Sequence, residues 1–242
     1  MKILNIAFYR FVPLSDLPEL RATLKSAAST LGLKGSILLA PEGINGFLAG
    51  AEASVRQYVG FLENHPALMP EKHGPLDIKE SRSEAQPFAR LKVKLKREII
   101  TMGCPEIQPA LSTGERLAPE TLKAWLDDGK PVLLVDTRND YELKEGGFQG
   151  AMDLKMKSFR DFPNRLDQIK AEAQGRPVVM FCTGGIRCEK ATAIAAEQGI
   201  PNVYQLEGGI LRYFEKAGQS HYDGRCFVFD ERVALDAELK AL

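Results

Sequence analysis

Within "FCTGGIRCEKA" (181–191), Cys182 and Arg187 bracket a short loop that gathers several residue types with chemical consequences. Thr183, Gly184, Gly185 and Ile186 separate the two. A glycine pair lets successive backbone N–H groups turn inward without steric cost. Donors gathered at the start of a helix make an anion cradle. A cysteine in such a cradle is held as the thiolate, its pKa brought from about 8.5 to roughly 3.5–7.5. Arg187 adds a fixed positive charge and a two-pronged grip on an oxyanion. The chemistry is that of a preformed nucleophile in an anion hole. The spacing is C-x4-R, one residue shorter than the C-x5-R loop with which cysteine phosphatases cradle a phosphate. The tighter ring suits a smaller group, such as a sulfur carried on the cysteine.

The elements around this loop must present it. "PVVMF" (177–181) is a continuous apolar strand that delivers Cys182 at its carboxyl end. "GIRCEKATAIAAEQG" (185–199) reads as the following helix, stopped at Gly199. "PVLLVDTR" (131–138) is a second buried strand, "RDFPNRLDQIKAEA" (160–173) a helix, and "NVYQLEGGI" (202–210) a short strand and turn. Apolar strands separated by helices imply a parallel sheet covered on both faces. Ligands of such sheets bind at the carboxyl ends of the strands, where Cys182 lies.

The first hundred residues read differently. "KILNIAFYRFV" (2–12) alternates as a strand, and "SDLPELRATLKSAASTLG" (15–32) follows as an amphipathic helix with Ser15 or Asp16 as its cap. "KGSILLAPEGINGFLAG" (34–50) predicts two strands about a glycine turn at Gly43–Gly46. "AEASVRQYVGFLENHP" (51–66) is a second helix, and "LDIKESRSE" (76–84) and "FARLKVKLKREI" (88–99) are extended. The order β-α-β-β-α-β predicts a ferredoxin-like two-layer sandwich. "GCPEIQPALSTGERLAPETL" (103–122) is rich in proline and glycine and reads as a linker. The expected organisation is therefore a mixed α/β and α+β chain. It has a ferredoxin-like domain over 1–101, a linker over 102–120, a parallel-sheet domain over 121–220 and a tail over 221–242.

The bulk properties are those of a globular protein, with 44% apolar and 26% charged residues. The 32 basic and 32 acidic side chains cancel overall. Residues 1–100 carry 14 Lys/Arg against 10 Asp/Glu, and the remainder 18 against 22, so the first half permits an anionic partner. No apolar run approaches the ~20 residues of a membrane span. The first residues lack a secretory leader's apolar core, so a cytoplasmic location is expected. Four irregularly spaced cysteines fit a reducing compartment. His65, His73 and His221 share no ligand spacing with one another, so no metal site is expected.

Other residues have two readings each. Cys188 either resolves an oxidised or sulfur-loaded Cys182 or packs on the sheet. Cys226 is core or a further redox group, and Cys104, beside Pro105, says nothing. Lys92, Lys94 and Lys96 alternate with Leu91, Val93 and Leu95, which are expected to face the core. Residues two apart on a strand are roughly 6.6–6.8 Å apart, so a lysine row there either tracks a nucleic-acid backbone or protects a sheet edge. Glu42 is a carboxylate that a hairpin does not require, available to substrate or to a neighbouring domain. Tyr213 and Phe214 either stack on a base or pack in the core.

The sequence also resembles known families. "LLVDTRNDYELKEGGFQGA" (133–151), "VVMFCTGGIRCEKA" (178–191) and "LEGGI" (206–210) are similar to the signature stretches of a rhodanese domain. The resemblance implies a persulfide-bearing Cys182, with Asp136 and Arg138 behind a core strand and Glu142 fixing the loop network. The usual Gly-His-Ile-Pro-Gly-Ala segment reads "GGFQGA" here, without its histidine. Together with "ILLAPEGINGFLAG" (37–50), "RLKVKLKREIITMG" (90–103) and "HYDGRCFVFDERVA" (221–234), the chain resembles the rhodanese-containing tRNA uridine hydroxylases over nearly its whole length. Longer members carry a cysteine-bearing C-terminal extension that this sequence does not contain. The resemblance implies oxygen-dependent 5-hydroxylation of the wobble uridine, tRNA rather than DNA as partner, and molecular oxygen as co-substrate. No flavin, haem, iron or nicotinamide motif is recognisable. Rhodanese-type sulfur transfer from thiosulfate or a persulfide is the alternative.

Overall fold

A computed structural model describes residues 2–69 and 74–241; His73 lies outside them. The chain divides into two compact units, Met1–Ile100 and Thr101–Leu242.

The first unit contains β1 (Ile3–Phe11), α1 (Leu17–Thr30), β2 (Lys34–Ala40), β3 (Gly43–Gly50), α2 (Glu52–Glu63), β4 (Ile78–Ser83) and β5 (Leu91–Leu95). The sheet order is β4-β1-β3-β2-β5. The first four strands are antiparallel, as in a ferredoxin-like sandwich, and β5 adds a parallel edge strand against β2. Leu20, Leu24 and Ala28 of α1 and Val55, Tyr58 and Leu62 of α2 close over Leu4, Ile6, Phe8, Ile37, Leu39 and Ile44 of the sheet.

Three local expectations are corrected here. The hairpin turns at Pro41–Glu42, because Ala40 pairs with Gly43, so Gly43–Gly46 lie inside β3. Gly46 is bare for packing reasons: a Cβ there would fall 2.3 Å from the Phe8 ring. Asp16 occupies the cap position of α1 in a left-handed conformation and makes no side-chain cap bond. Pro18 in the first turn supplies the start signal instead. Leu95, expected in the core, is 39% exposed at the end of the edge strand.

The second unit runs β6 (Glu115–Leu117), α3 (Pro119–Asp127), β7 (Leu133–Asp136), α4 (Asp140–Leu143), β8 (Gly146–Phe148) and β9 (Met152–Asp153). A 3-10 helix (Phe159–Arg165) leads into α5 (Leu166–Ala173), followed by β10 (Val178–Phe181), α6 (Ile186–Glu197), β11 (Val203–Leu206) and α7 (Gly209–Ala217). Three short strands follow: β12 (Tyr222–Gly224), β13 (Cys226–Phe227) and β14 (Ala234–Leu235). The sheet β6-β11-β10-β7-β9 is parallel throughout. Its middle strand, β10, is buried at every position, as its uninterrupted apolar run requires.

The second unit also departs from expectation in places. Glu115–Leu117 pair with β11 and form a strand inside the expected linker. The helix expected from 160 begins as a 3-10 turn with Pro163 inside it, because proline has no N–H to donate. Residues 221–235 are not a tail: Tyr222, Cys226, Val228 and Leu235 are buried in the same core as Phe148, Phe181 and Tyr213.

Candidate active site

β10 ends at Phe181 and hands Cys182 to the loop, and Gly185, with φ of 96°, turns the chain into α6. An L side chain adopts that φ only with strain, so glycine is required there. The Gly185 N–H donates to the Cys182 sulfur at 3.1 Å. The Arg187 backbone and the Cys188 side chain also interact with that sulfur and favour its thiolate.

The outward side of the loop is held as well. Ile210 and Leu211, in the first turn of α7, donate their N–H groups to the carbonyls of Cys182 (2.9 Å) and Thr183 (3.1 Å). These loop carbonyls are thus occupied by one helix start while the loop's amides face the sulfur at another. A Cβ on Gly209 would sit 2.4 Å from the Cys182 carbonyl oxygen, which is why the "GG" of "LEGGI" needs its second glycine.

Burial disfavours the Cys182 thiolate, but the Cys188 thiol, the Arg187 charge and the inward amides together outweigh it. The net effect lowers the Cys182 pKa below its ordinary value. Cys188 moves the opposite way, raised by burial and by its bond to Cys182. Cys226 is pushed up to about 12 by burial and stays a thiol, its sulfur 3.6 Å from the Phe227 carbonyl oxygen.

Arg187 is fixed by Glu142 of α4. Its Nη2 donates to Glu142 Oε2 at 2.7 Å, and its Nη1 to Oε1. Glu142 Oε1 also accepts from the Asn139 N–H at 3.0 Å, closing a capping box on α4. Arg187 Nε is buried with no oxygen acceptor, and the guanidinium charge supports the Cys182 sulfur. Asp136 and Arg138 form a second buried pair, Nη2 to Oδ2 at 2.6 Å, and Arg138 Nη2 also donates to the Gly146 carbonyl at 2.7 Å. That pair ties the end of β7 to β8. Desolvation pushes the Asp136 carboxyl up and Arg138 only partly offsets it.

The reactive sulfur is closed to solvent. Cys182, Gly185 and Cys188 are buried, while Gly184 and Ile186 are half-buried. The chain after β12 lies against the loop: Thr183 Oγ1 donates to the Phe227 carbonyl at 3.3 Å. Phe227 meets Tyr141 edge-on at 5.4 Å and Phe229 at 5.2 Å between ring centroids. The Arg187 guanidinium stands 5.9 Å from the Phe229 ring centre. Tyr141 and Phe229 are 42% and 43% exposed. These are the aromatics presented beside the loop. Tyr213 and Phe214, one of whose readings is base stacking, are buried; the Tyr213 hydroxyl donates to the Ser220 carbonyl. The signals for Tyr141 and Phe229 are their positions, one next to Glu142 and the other at the end of the apolar run "CFVF" (226–229).

The remaining candidates belong to the first unit. Lys92, Lys94 and Lys96 are exposed at edge strand β5 and just after it, and Arg21 and Lys25 of α1 are exposed too. Arg21 Nε donates to the Val93 carbonyl at 3.1 Å, so this basic helix face and the lysine row are neighbours. Glu42 Oε1 accepts the Ile99 N–H at 2.7 Å, which ties the hairpin to the chain leaving β5. Among the described residues no helix is long and apolar enough to cross a membrane. Nor, among them, do three or more His, Cys, Asp or Glu side chains gather as metal ligands.

Comparison with known proteins agrees with this division. Residues 3–99 match the UPF0176 acylphosphatase-like domain and residues 118–216 the rhodanese-like domain. The chain is 52% identical to the tRNA uridine(34) hydroxylase of Variovorax paradoxus (strain S110), over 99% of this chain and 91% of that protein. It is 49% identical to that of Burkholderia vietnamiensis (strain G4 / LMG 22486), over 99% and 86%. It is 46% identical to that of Paraburkholderia xenovorans (strain LB400), over 99% and 85%. With both domains matched and near-half identity sustained from end to end, the chain belongs to the tRNA uridine(34) hydroxylase family.

Proposed function

We propose that this protein hydroxylates uridine 34 of tRNA at C5, with Cys182 as the reactive group. One observation carries the assignment of the site: the Cys182 sulfur receives the Gly185 N–H, with the Arg187 charge favouring its thiolate, while the Cys182 and Thr183 carbonyls are occupied by α7. That arrangement keeps a nucleophilic thiolate where the sheet meets α6. Arg187, locked by Glu142, retains an Nε–H donor for a substrate oxygen. Tyr141 and Phe229, partly exposed beside the loop, are where the base stacks, and Thr183, Gly184, Gly185 and Ile186 form the cradle. A base reaches the buried sulfur only after one of the loop's covers moves.

The lysine row of β5, with Arg21 and Lys25, binds the tRNA backbone, and the enzyme works in the cytoplasm where that substrate resides. Molecular oxygen supplies the new oxygen atom. Nucleoside mass spectrometry of tRNA tests this reading. Cells lacking the protein lose 5-hydroxyuridine, wild type restores it and Cys182→Ala does not. Labelling with heavy dioxygen places the label in the product. Unchanged 5-hydroxyuridine, or rapid thiocyanate release from thiosulfate and cyanide with no tRNA phenotype, sinks it in favour of sulfur transfer.

A further inference from the structure

Hydroxylation of a C–H bond by dioxygen consumes two electrons beyond those the substrate gives. One oxygen atom enters the C5–H bond and the other leaves as water. We propose that Cys182 and Cys188 are the two-electron donor and close to a disulfide in each turnover. The inference rests on the dioxygen reading above.

The Cys188 side chain interacts with that of Cys182, and both thiols are free and buried. Cys188 is the third residue of α6, and its sulfur is held from behind by Thr137 Oγ1 at 3.8 Å. Thr137 is itself anchored by donating to the Phe181 carbonyl at 2.9 Å, in the residue before Cys182. One fixed point therefore holds the strand that delivers Cys182 and the thiol that faces it. Cys226 is directed to the Phe227 carbonyl, so the paired thiols are 182 and 188. Two glycines in the connecting loop give its backbone the freedom to bring the sulfurs to the ~2.05 Å of a bond. The pair is buried, which withholds it from adventitious oxidation until substrate moves the cover.

The step balances. The O–O bond and the uracil C5–H bond break; a C5–O bond and the S–S bond form. Dioxygen is reduced, and the uracil carbon and the sulfur pair are oxidised by two electrons each. The Cys188 thiol proton and one solvent proton leave with the second oxygen atom as water. An external small-molecule or protein dithiol then reopens the disulfide by exchange.

The test uses the full chain, fully reduced and freed of added thiol, mixed with tRNA under air for one turnover. The expected result is one Cys182–Cys188 disulfide, mapped by mass spectrometry, for each 5-hydroxyuridine formed. Cys188→Ser or Cys188→Ala forms product at about one-tenth of the wild-type yield or less, and dithiothreitol restores it. Cys104→Ser, a control far from the loop in sequence, keeps the wild-type stoichiometry. Product formed with both thiols still free overturns the proposal, as does a Cys188 variant that matches wild type without added thiol. Diamide oxidation of the substrate-free protein is the independent arm: no 182–188 disulfide means the pair cannot close, and the idea falls whatever the activity. Absence of product from wild type even with dithiothreitol, while diamide does form the disulfide, instead counts against the dioxygen reading and removes the inference with it.

Discussion

The Glu142–Arg187 pair sets the most informative perturbation, because both partners are buried and one oxygen serves two purposes. The Glu142 side chain has no exposure and that of Arg187 has 4%. Removing one member of a buried pair leaves an uncompensated charge and costs about 3–5 kcal/mol. Glu142→Gln keeps the oxygen that accepts from the Asn139 N–H but turns an N–H toward Arg187, so the expected loss is about 3–4 kcal/mol. Glu142→Ala removes the capping acceptor as well and adds about 1 kcal/mol. Against a typical total of about 5–15 kcal/mol, either loss is large. Trp125, the single tryptophan, lies in α3 and meets Tyr204 edge-on at 5.6 Å, so its fluorescence in urea follows the second unit alone. Pairing Glu142→Gln with Arg187→Met removes the stranded charge and recovers most of the stability, with the activity still absent. Single variants that each cost less than about 1 kcal/mol refute the claim that this ion pair holds the loop.

Four further outcomes follow from the geometry. The folded-state pKa of Cys182 is lowered, so the thiolate and the stability it confers are present above the ordinary thiol value and are lost as pH falls through the lowered one. The ultraviolet thiolate absorbance that distinguishes wild type from Cys182→Ser should therefore persist through neutral pH and vanish with activity only in acid, and Arg187→Met should shift that loss toward higher pH. Gly209→Ala forces a Cβ to 2.4 Å from the Cys182 carbonyl oxygen at a φ of 65°; about 2 kcal/mol or more of stability and most activity should go, read by urea melts and turnover. Replacing Lys92, Lys94 and Lys96 together with alanine should weaken tRNA binding and reduce its salt slope by about 0.7–0.9 for each phosphate no longer neutralised, without altering the Cys182 absorbance. Tyr141→Ala and Phe229→Ala should each raise KM about 5- to 100-fold as base stacking is removed, with the fold retained by circular dichroism.

Much of the fold was legible because its signals are contiguous. β10 is an unbroken apolar run and is buried at every residue. Alternation marked β1, and apolar stripes marked α1 and α2. What failed depended on distant partners. Asn45-Gly46 is a turn signal by composition, yet the glycine is there because Phe8, on a neighbouring strand, fills the space a side chain would need. β6 is three residues long, too short to show a period, and exists because β11 offers it an edge. Tyr222, the four-residue run Cys226–Phe229 and Leu235 are too short and too widely spaced in a polar stretch to show a period; shared packing with Phe148 and its neighbours makes Tyr222, Cys226, Val228 and Leu235 core.

The same division explains the site. The cradle was readable because sulfur, glycines and arginine lie within six residues, and local backbone geometry turns those types into an anion hole. Its supports were not readable from spacing alone: Glu142 lies 45 residues from Arg187, and Thr183 is tied to Phe227, 44 residues on. The aromatics beside the loop differ from those the sequence singles out for a related reason. Tyr213 and Phe214 follow a conspicuous glycine turn, but α7 rotates them into the core beside Phe148 and Tyr222. Tyr141 and Phe229 come from segments without an aromatic motif and both meet Phe227 of the short β13, with Phe229 beside Arg187. The nucleophile is thus specified by the chain next to it, whereas access to the nucleophile is specified by residues far along the chain. Substitutions in those covers, at Tyr141 and Phe229, should therefore change which substrates reach Cys182 before they change its ionisation.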